Sequence, residues 1–480
     1  MHNSTEPLAV NGEAGAQQIE PGIVRTIIAA LRGTHQDYTQ GNLGRALLML
    51  AIPMVLEMAM ESVFALVDIF FVSKLGAEAA ATVGWTESIM TLVYTVALGL
   101  SIGATATVAR RIGERNPEAA AHTAAQVIML GLTVSAVLGI TGALLAPKLL
   151  LIMGAAPSVI AHNVGFTRVL LGCNASVMML FLFNGIFRGA GDAAIAMRVL
   201  WLANILNIVL CPLLIFGFGP IPALGIKGAA IATTIGRGTG ALFALSRMLK
   251  TGGRIPLAAK HFRPELGLIW QLIRLSSSAM FQVFIGMASW IGLIRIMAIF
   301  GTDAVAGNTI GMRVILFALF PSWGVSNAAA TMVGQSLGAK DPERAEKAVW
   351  LAGFYNMCFL GVVGLIFVVF AGPIIRFFTQ EPQVQVYGTA CLRTVAVGFL
   401  FYAYGMVLTQ SFNGAGDTRT PTIINLFVFW LFEIPLAYVL SVWFGLGPQG
   451  NFLAITIAFS ALAVVSAIIF KQGKWKTQRV

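Results

Sequence analysis

Twelve long apolar runs, separated by short polar connections, dominate this chain, and a water-soluble fold has no interior large enough to hide them. They fall at 44–73, 79–108, 119–146, 163–187, 193–215 and 224–246, then at 268–299, 304–333, 343–372, 388–411, 418–444 and 449–470. At about 20 residues per crossing, twelve helices take roughly half of the 480 residues and leave no room for a separate soluble domain. Charge is correspondingly scarce. Only 11% of residues are Asp, Glu, Lys or Arg and 57% are hydrophobic, whereas a soluble protein carries roughly 25% charge. The fold class expected is therefore an all-α membrane protein of twelve transmembrane helices.

The basic residues are sorted by side. Alternate connections and both ends carry 22 of the 31 Lys and Arg residues, and the opposite connections carry only Lys74, Lys148, Lys227 and Arg376. By the rule that basic loops stay in the cytoplasm, both termini and the central linker are expected there, in a plasma or inner membrane. The net charge of +11 is thus a topology marker, not a nucleic-acid footprint, and no nucleic-acid partner is expected. The first 40 residues are mostly polar and show no cleavable signal, so the first span is expected to direct insertion itself. The amphipathic stretch GIVRTIIAALR at 22–32 reads either as a helix lying on the inner leaflet or as part of a disordered tail. Cys173, Cys211, Cys358 and Cys391 lie in apolar runs without CxxC pairing or flanking His, as buried small hydrophobes rather than ligands or disulfides.

The chain repeats itself. IGERNPE at 112–118 matches LGAKDPE at 337–343, Leu75-Gly76 matches Phe300-Gly301, and GAGD at 189–192 matches GAGD at 414–417, all at an offset of 225 residues. Further on the offset grows to 228, where GFGP at 217–220 meets GLGP at 445–448. A duplicated six-helix unit follows, and because six is even both copies insert in the same sense, as pseudo-symmetric lobes about an axis along the membrane normal. The expected division is a tail at 1–42, a first lobe at 43–247, a linker at 248–267, a second lobe at 268–470 and a tail at 471–480. The GAGD loops read as flexible joints or, more plainly, as duplicated turns whose Asp192 and Asp417 cap a helix.

Carboxylates inside apolar spans are the strongest chemical signal. The first span holds Glu57, Glu61 and Asp68, and at 100° per residue they lie within about 40° of one another, one acidic stripe on roughly 16 Å of helix. A carboxylate at that depth costs a few kcal/mol, so it faces a cavity, pairs or takes a proton. Bonding to neighbouring helices or to Lys74 is the structural alternative. At the 225 offset the second half has Gln282, Gly286 and Leu293 instead, so cation or proton binding is expected in the first lobe alone, with Na⁺ near Asp68 as one form of it. Asn207 and Cys211, one turn apart, Thr233, and in the second lobe Glu433, Arg295 and Arg313 are further intramembrane polar groups, cavity-lining or structural, with Glu433 able to pair with either arginine. The 32 Phe and 19 Met residues could line a promiscuous cavity or simply fill the core and meet lipid. No nucleotide loop, zinc motif, nucleophile elbow or selectivity-filter sequence is present, which leaves an ion gradient as the energy source and no cofactor beyond H⁺ or Na⁺. An ion channel is disfavoured because nothing suggests pore-lining symmetry.

Together IPMVLEMAMESVFALVDIFFVSKLG at 52–76, FRGAGDA at 187–193, LNIVLCP at 206–212, GIKGAAIATTIG at 225–236 and FNGAGDTRTP at 412–421 resemble the multidrug and toxic compound extrusion (MATE) family, nearest to its DinF-like branch. The resemblance covers about 44–470. It implies two lobes in a V and export of cationic or amphipathic small molecules in exchange for inward H⁺ or Na⁺; a transporter rather than an enzyme is expected, acting as a monomer. It implies Asp68 as the coupling residue, assisted by Asn207 and Thr233, and Pro53 as the point where the first span bends. Two departures stand out: Cys211 replaces the usual second acid, for which Glu57 and Glu61 could compensate, and the second lobe has Gln282 and no acid around 402–404. A flippase for lipid-linked oligosaccharides, from the wider superfamily, is the alternative, with Arg295 and Arg313 meeting an anionic head group.

Overall fold

The computed structural model describes residues 23–33, 36–220, 222–250 and 253–478; the side chains of residues 23, 65–69, 73 and 77 lie outside the described set. The described residues are all helical or loop, without strands. Twelve spans follow one another: Leu43–Ser73, Ala77–Gly113, Pro117–Ile152, Pro157–Ala190, Ala193–Phe216 and Ile226–Leu249, then Leu266–Phe300, Thr302–Gly338, Pro342–Phe378, the pair Pro382–Val397 and Phe399–Gly414, Arg419–Trp443 and Pro448–Lys471. Ten are long and apolar enough to cross a bilayer as single helices; the tenth span makes an eleventh through a 61° bend. The sixth, Ile226–Leu249, is diluted by Arg237 and by its glycines and threonines.

The duplicated motifs are duplicated turns. Asn116 and Asp341 accept the backbone N–H three residues on (2.9 Å each) and are followed by a first-position proline and a first-turn glutamate, the arrangement that starts a helix. The residues before them, Arg115 and Lys340, share a left-handed backbone, φ 56° and 60°. Gly191 and Gly416 close the fourth and tenth spans at φ 82° and 86°, with matching bonds from Asp192 N–H to Phe187 O and from Asp417 N–H to Phe412 O. The aspartates then part company. Asp417 caps Thr420 through its backbone N–H (3.2 Å) and hydroxyl (2.7 Å), whereas Asp192 makes no capping bond and faces Arg254 of the linker at 3.4 Å. The growth of the offset from 225 to 228 falls in the eleventh span, where wide π turns at Leu426–Glu433 and Val439–Trp443 fit extra residues into one crossing.

The lobes meet reciprocally. The first span packs on the eighth and the second on the seventh, while the second and eighth cross each other on the pseudo-axis. A Cβ on Gly324 would stand 2.6 Å from Val55 N, and one on Gly99 would stand 2.8 Å from Met280 N; each pair is the other moved by 225 residues. Gly113 and Gly338 likewise lie against the backbones of Gln335 and Arg110.

One helix breaks the division into lobes. Leu47, Leu50 and Met54 of the first span are buried in a cluster with Ala328, Met332, Val349 and Phe412 of the second half, while the next turns of the same helix face the fourth, fifth and sixth spans. Pro53 sits at the changeover, inside a continuous helix, where its missing N–H leaves one carbonyl of the preceding turn without its helical bond. The stretch Ile23–Arg32 is a helix packed on the first and fifth spans, with Thr26 and Ala30 buried and Val24, Ile27 and Ile28 exposed.

Candidate functional site: an ionic ladder in the first lobe

Each acid of the first span that the structure describes has an arginine. Glu57 is 1% exposed, and its Oε1 accepts hydrogen bonds from Asn184 Nδ2 (3.1 Å) and Arg188 Nη1 (3.4 Å) of the fourth span. Arg188 also donates from Nη2 to Ser101 Oγ (3.2 Å), and its own carbonyl accepts the Thr331 hydroxyl from across the lobe boundary. Four residues on, Glu61 accepts at Oε1 from Arg237 Nη2 (3.1 Å) and at Oε2 from Asn204 Nδ2 (3.2 Å). Arg237 is 2% exposed, with its guanidinium 4.9 Å from the Phe64 ring centre and 6.0 Å from that of Phe181. Three residues beyond Asn204, Asn207 Nδ2 donates to Thr233 Oγ1 (2.9 Å), so the two residues placed by the family resemblance touch. Asp68 lies on the same helix, about 10 Å beyond Glu61 at 1.5 Å per residue; its side chain is outside the described residues.

The spacing makes a ladder. Glu57 and Glu61 are one turn apart on the first span, Asn184 and Arg188 on the fourth, Asn204 and Asn207 on the fifth, Thr233 and Arg237 on the sixth, so four helices contribute successive rungs. Glycine at 236 lets the sixth helix approach the fifth, because a Cβ there would stand 2.6 Å from Ala203 O. Cys211 is buried one turn past Asn207. Charge of both signs is held inside the spans here, which is tolerable because each carboxylate meets a guanidinium and an amide.

The arginines were the part the sequence reading missed. Arg188, beside a connection between spans, reads in the sequence as one of the 22 rim cations, yet it is buried on Glu57. Arg237 belongs to neither set of connections, and a lone cation in the middle of an apolar span, with an acidic stripe on another, is the signal that points to its pairing with Glu61. Lys74, the alternative partner, pairs with neither Glu57 nor Glu61 and lies over the Phe70 ring at 4.3 Å.

Among the described residues the second lobe has no counterpart. Gln282 is buried with its Oε1 unpartnered among the described residues, Gly286 carries nothing, and Leu293 is core. Glu433 is buried, but among the described residues neither Arg295 nor Arg313 lies within ion-pairing distance, and both arginines are exposed. Tyr402 stacks on Phe459 with ring centres 3.9 Å apart where the tenth-span acid is missing. Among the described residues no group of three or more His, Cys, Asp or Glu is placed to hold a metal ion.

This architecture is found in known transporters. The chain is 26% identical over 442 residues to a probable multidrug resistance protein NorM of Thermotoga maritima, covering 91% of this chain and 94% of that one. It is 26% identical over 424 residues to an FAD transporter of Shewanella oneidensis, covering 86% and 91%. A solved structure of the outward-facing conformation of a multidrug resistance MATE family transporter superposes with a TM-score of 0.86 at 26% identity, covering 92% of this chain and 98% of that one. The MatE family pattern matches residues 53–213 and again 277–439, once in each lobe, and on this evidence of sequence and fold together the chain belongs to the MatE family of membrane transporters.

Proposed function

We propose that the protein is a multidrug efflux antiporter that exports cationic or amphipathic small molecules in exchange for inward H⁺ or Na⁺, with Asp68 as the residue that changes charge. The observation that carries this reading is the one-sided ladder. Glu57 and Glu61 each hold an arginine, and stripping a buried carboxylate of its partner costs about 3–5 kcal/mol. These pairs therefore fix the first span to the first lobe. We assign the exchange of the ion to Asp68, further along that span, on the family resemblance, with Asn207 and Thr233, which touch each other on the fifth and sixth spans, as the assisting residues.

The route from ion to cargo runs along the first span. Its lower turns are packed into the second-lobe cluster and its acidic turns into the first lobe, so a bend at Pro53 moves one lobe's wall relative to the other. Loading Asp68 with H⁺ or Na⁺ removes or screens a charge, shifts the preferred bend and expels cargo from the cleft. The basic rim sets the orientation proposed, with both termini cytoplasmic. A single monomer suffices for this cycle.

Transport by proteoliposomes under imposed proton and sodium gradients, applied separately, tests the proposal. Uphill movement of a cationic dye under at least one gradient is expected. Dye movement that ignores both gradients would overturn antiport, and failure to move cationic dyes at all would favour a lipid-linked or other anionic cargo. The name of the Shewanella relative makes FAD the first such cargo to assay.

A further inference from the structure

The basic face of the first lobe contains a second polar site, unconnected with the ladder. A cavity of about 110 Å³ opens where the end of the Ile23–Arg32 helix meets the start of the fifth span and the end of the sixth. Arg32, Arg198 and Arg247, one from each of these helices, line it, with Tyr38 and Asp192. Arg198 Nη2 donates to the carbonyls of Leu31 (2.8 Å) and Arg32 (2.9 Å) and so docks the short helix. Asp192, the one acid in the lining, is already opposite Arg254 at 3.4 Å. Among the described residues no carboxylate lies within 4.0 Å of Arg32, Arg198 or Arg247. Three arginines thus line a space whose one carboxylate, Asp192, already faces Arg254, and an excess of positive charge of that kind calls for an anion with several acceptor oxygens.

We propose that this cavity binds the phosphate of an anionic phospholipid from the adjoining leaflet. Free inorganic phosphate shares the chemistry, but the surroundings favour a lipid. Val24, Ile27 and Ile28 of the same short helix are exposed and apolar, which seats that helix at the hydrocarbon boundary and places the cavity mouth at head-group depth. Leu242 and Leu249, flanking Arg247 on the sixth span, are also exposed, offering the acyl chains a surface. The bound lipid would pin the short helix to the fifth and sixth spans and so hold the first lobe at the membrane surface.

Native mass spectrometry on the purified full-length protein, titrated with phosphatidylglycerol, phosphatidylcholine and inorganic phosphate, reads this directly. Phosphatidylglycerol should be retained over phosphatidylcholine by about tenfold, and millimolar phosphate should not displace it. The double variant Arg32→Gln/Arg247→Gln should weaken phosphatidylglycerol about thirtyfold, while Arg25→Gln/Lys250→Gln, on the same rim but outside the cavity, should not; Arg198 is left in place because it docks the helix. Equal retention of the two lipids, displacement by phosphate, or an equal loss in the control pair would each overturn the proposal. The wild-type lipid comparison decides the matter even if a variant does not fold.

Discussion

The first and seventh spans occupy equivalent places in a duplicated frame and have opposite chemistry. Around each, the same turns and the same close lobe contacts recur, down to Gly99 on Met280 and Gly324 on Val55. Yet Glu57 and Glu61 stand in ion pairs where the second half has Gln282 and Gly286. Backbone architecture survives duplication because it depends on turns, small residues and close approach, which tolerate little change. Buried charge is dispensable to the frame. Among the described residues the buried acid–arginine pairs occur in the first lobe only, and that asymmetry is what a transporter needs if one lobe carries ions and the other supplies the wall they move.

Mutations can sharpen the contrast. The largest effect is expected from Asp68→Asn, which should reduce gradient-driven export in proteoliposomes by about a hundredfold or more, whereas Glu433→Gln should stay within about twofold. Next, Arg237→Ala should destabilise the folded protein by about 3–5 kcal/mol, read as a lowered Tm in detergent, because it strands Glu61; Arg295→Ala, exposed and unpaired with Glu433, should change Tm little. Restoring most of that Tm in Glu61→Gln/Arg237→Gln would show that pairing, rather than either residue alone, carries the stability. Gly99→Val and Gly324→Val should each cost about 1–3 kcal/mol and by similar amounts, since the two contacts are the same contact seen twice. The smallest difference is at the duplicated turns: Asp417→Ala should lose a helix cap and about 1 kcal/mol, while Asp192→Ala, which caps nothing, should instead loosen the linker held by Arg254.

Much of this frame was legible in the sequence because its signals are local. Span length, alternating basic loops and the 225-residue offset depend only on residues near one another in the chain, and the turn chemistry of NPE and DPE at 116–118 and 341–343 is spelled out in the letters. The acidic stripe was legible for the same reason, as a periodicity on one helix. Its partners were not. Arg188 and Arg237 lie more than 125 residues from the acids they meet, and only the packing of the fourth, fifth and sixth spans on the first brings them together. Arg188 was further disguised by sitting beside a loop, where a cation ordinarily marks the cytoplasmic rim. The GAGD loops were ambiguous in letters and proved ambiguous in space, since identical backbone turns serve a cap in one copy and a linker contact in the other.

Substrate-induced ion release tests the central claim, that coupling resides in the first lobe at Asp68, without needing a membrane. Detergent-purified protein in weak buffer is mixed with a cationic substrate while protons are followed by an indicator dye and sodium by ²²Na⁺ retention. Wild type and Glu433→Gln should release the same ion on substrate addition, and Asp68→Asn should release none while still binding substrate. Undiminished release from Asp68→Asn, or its loss in Glu433→Gln alone, would contradict the account.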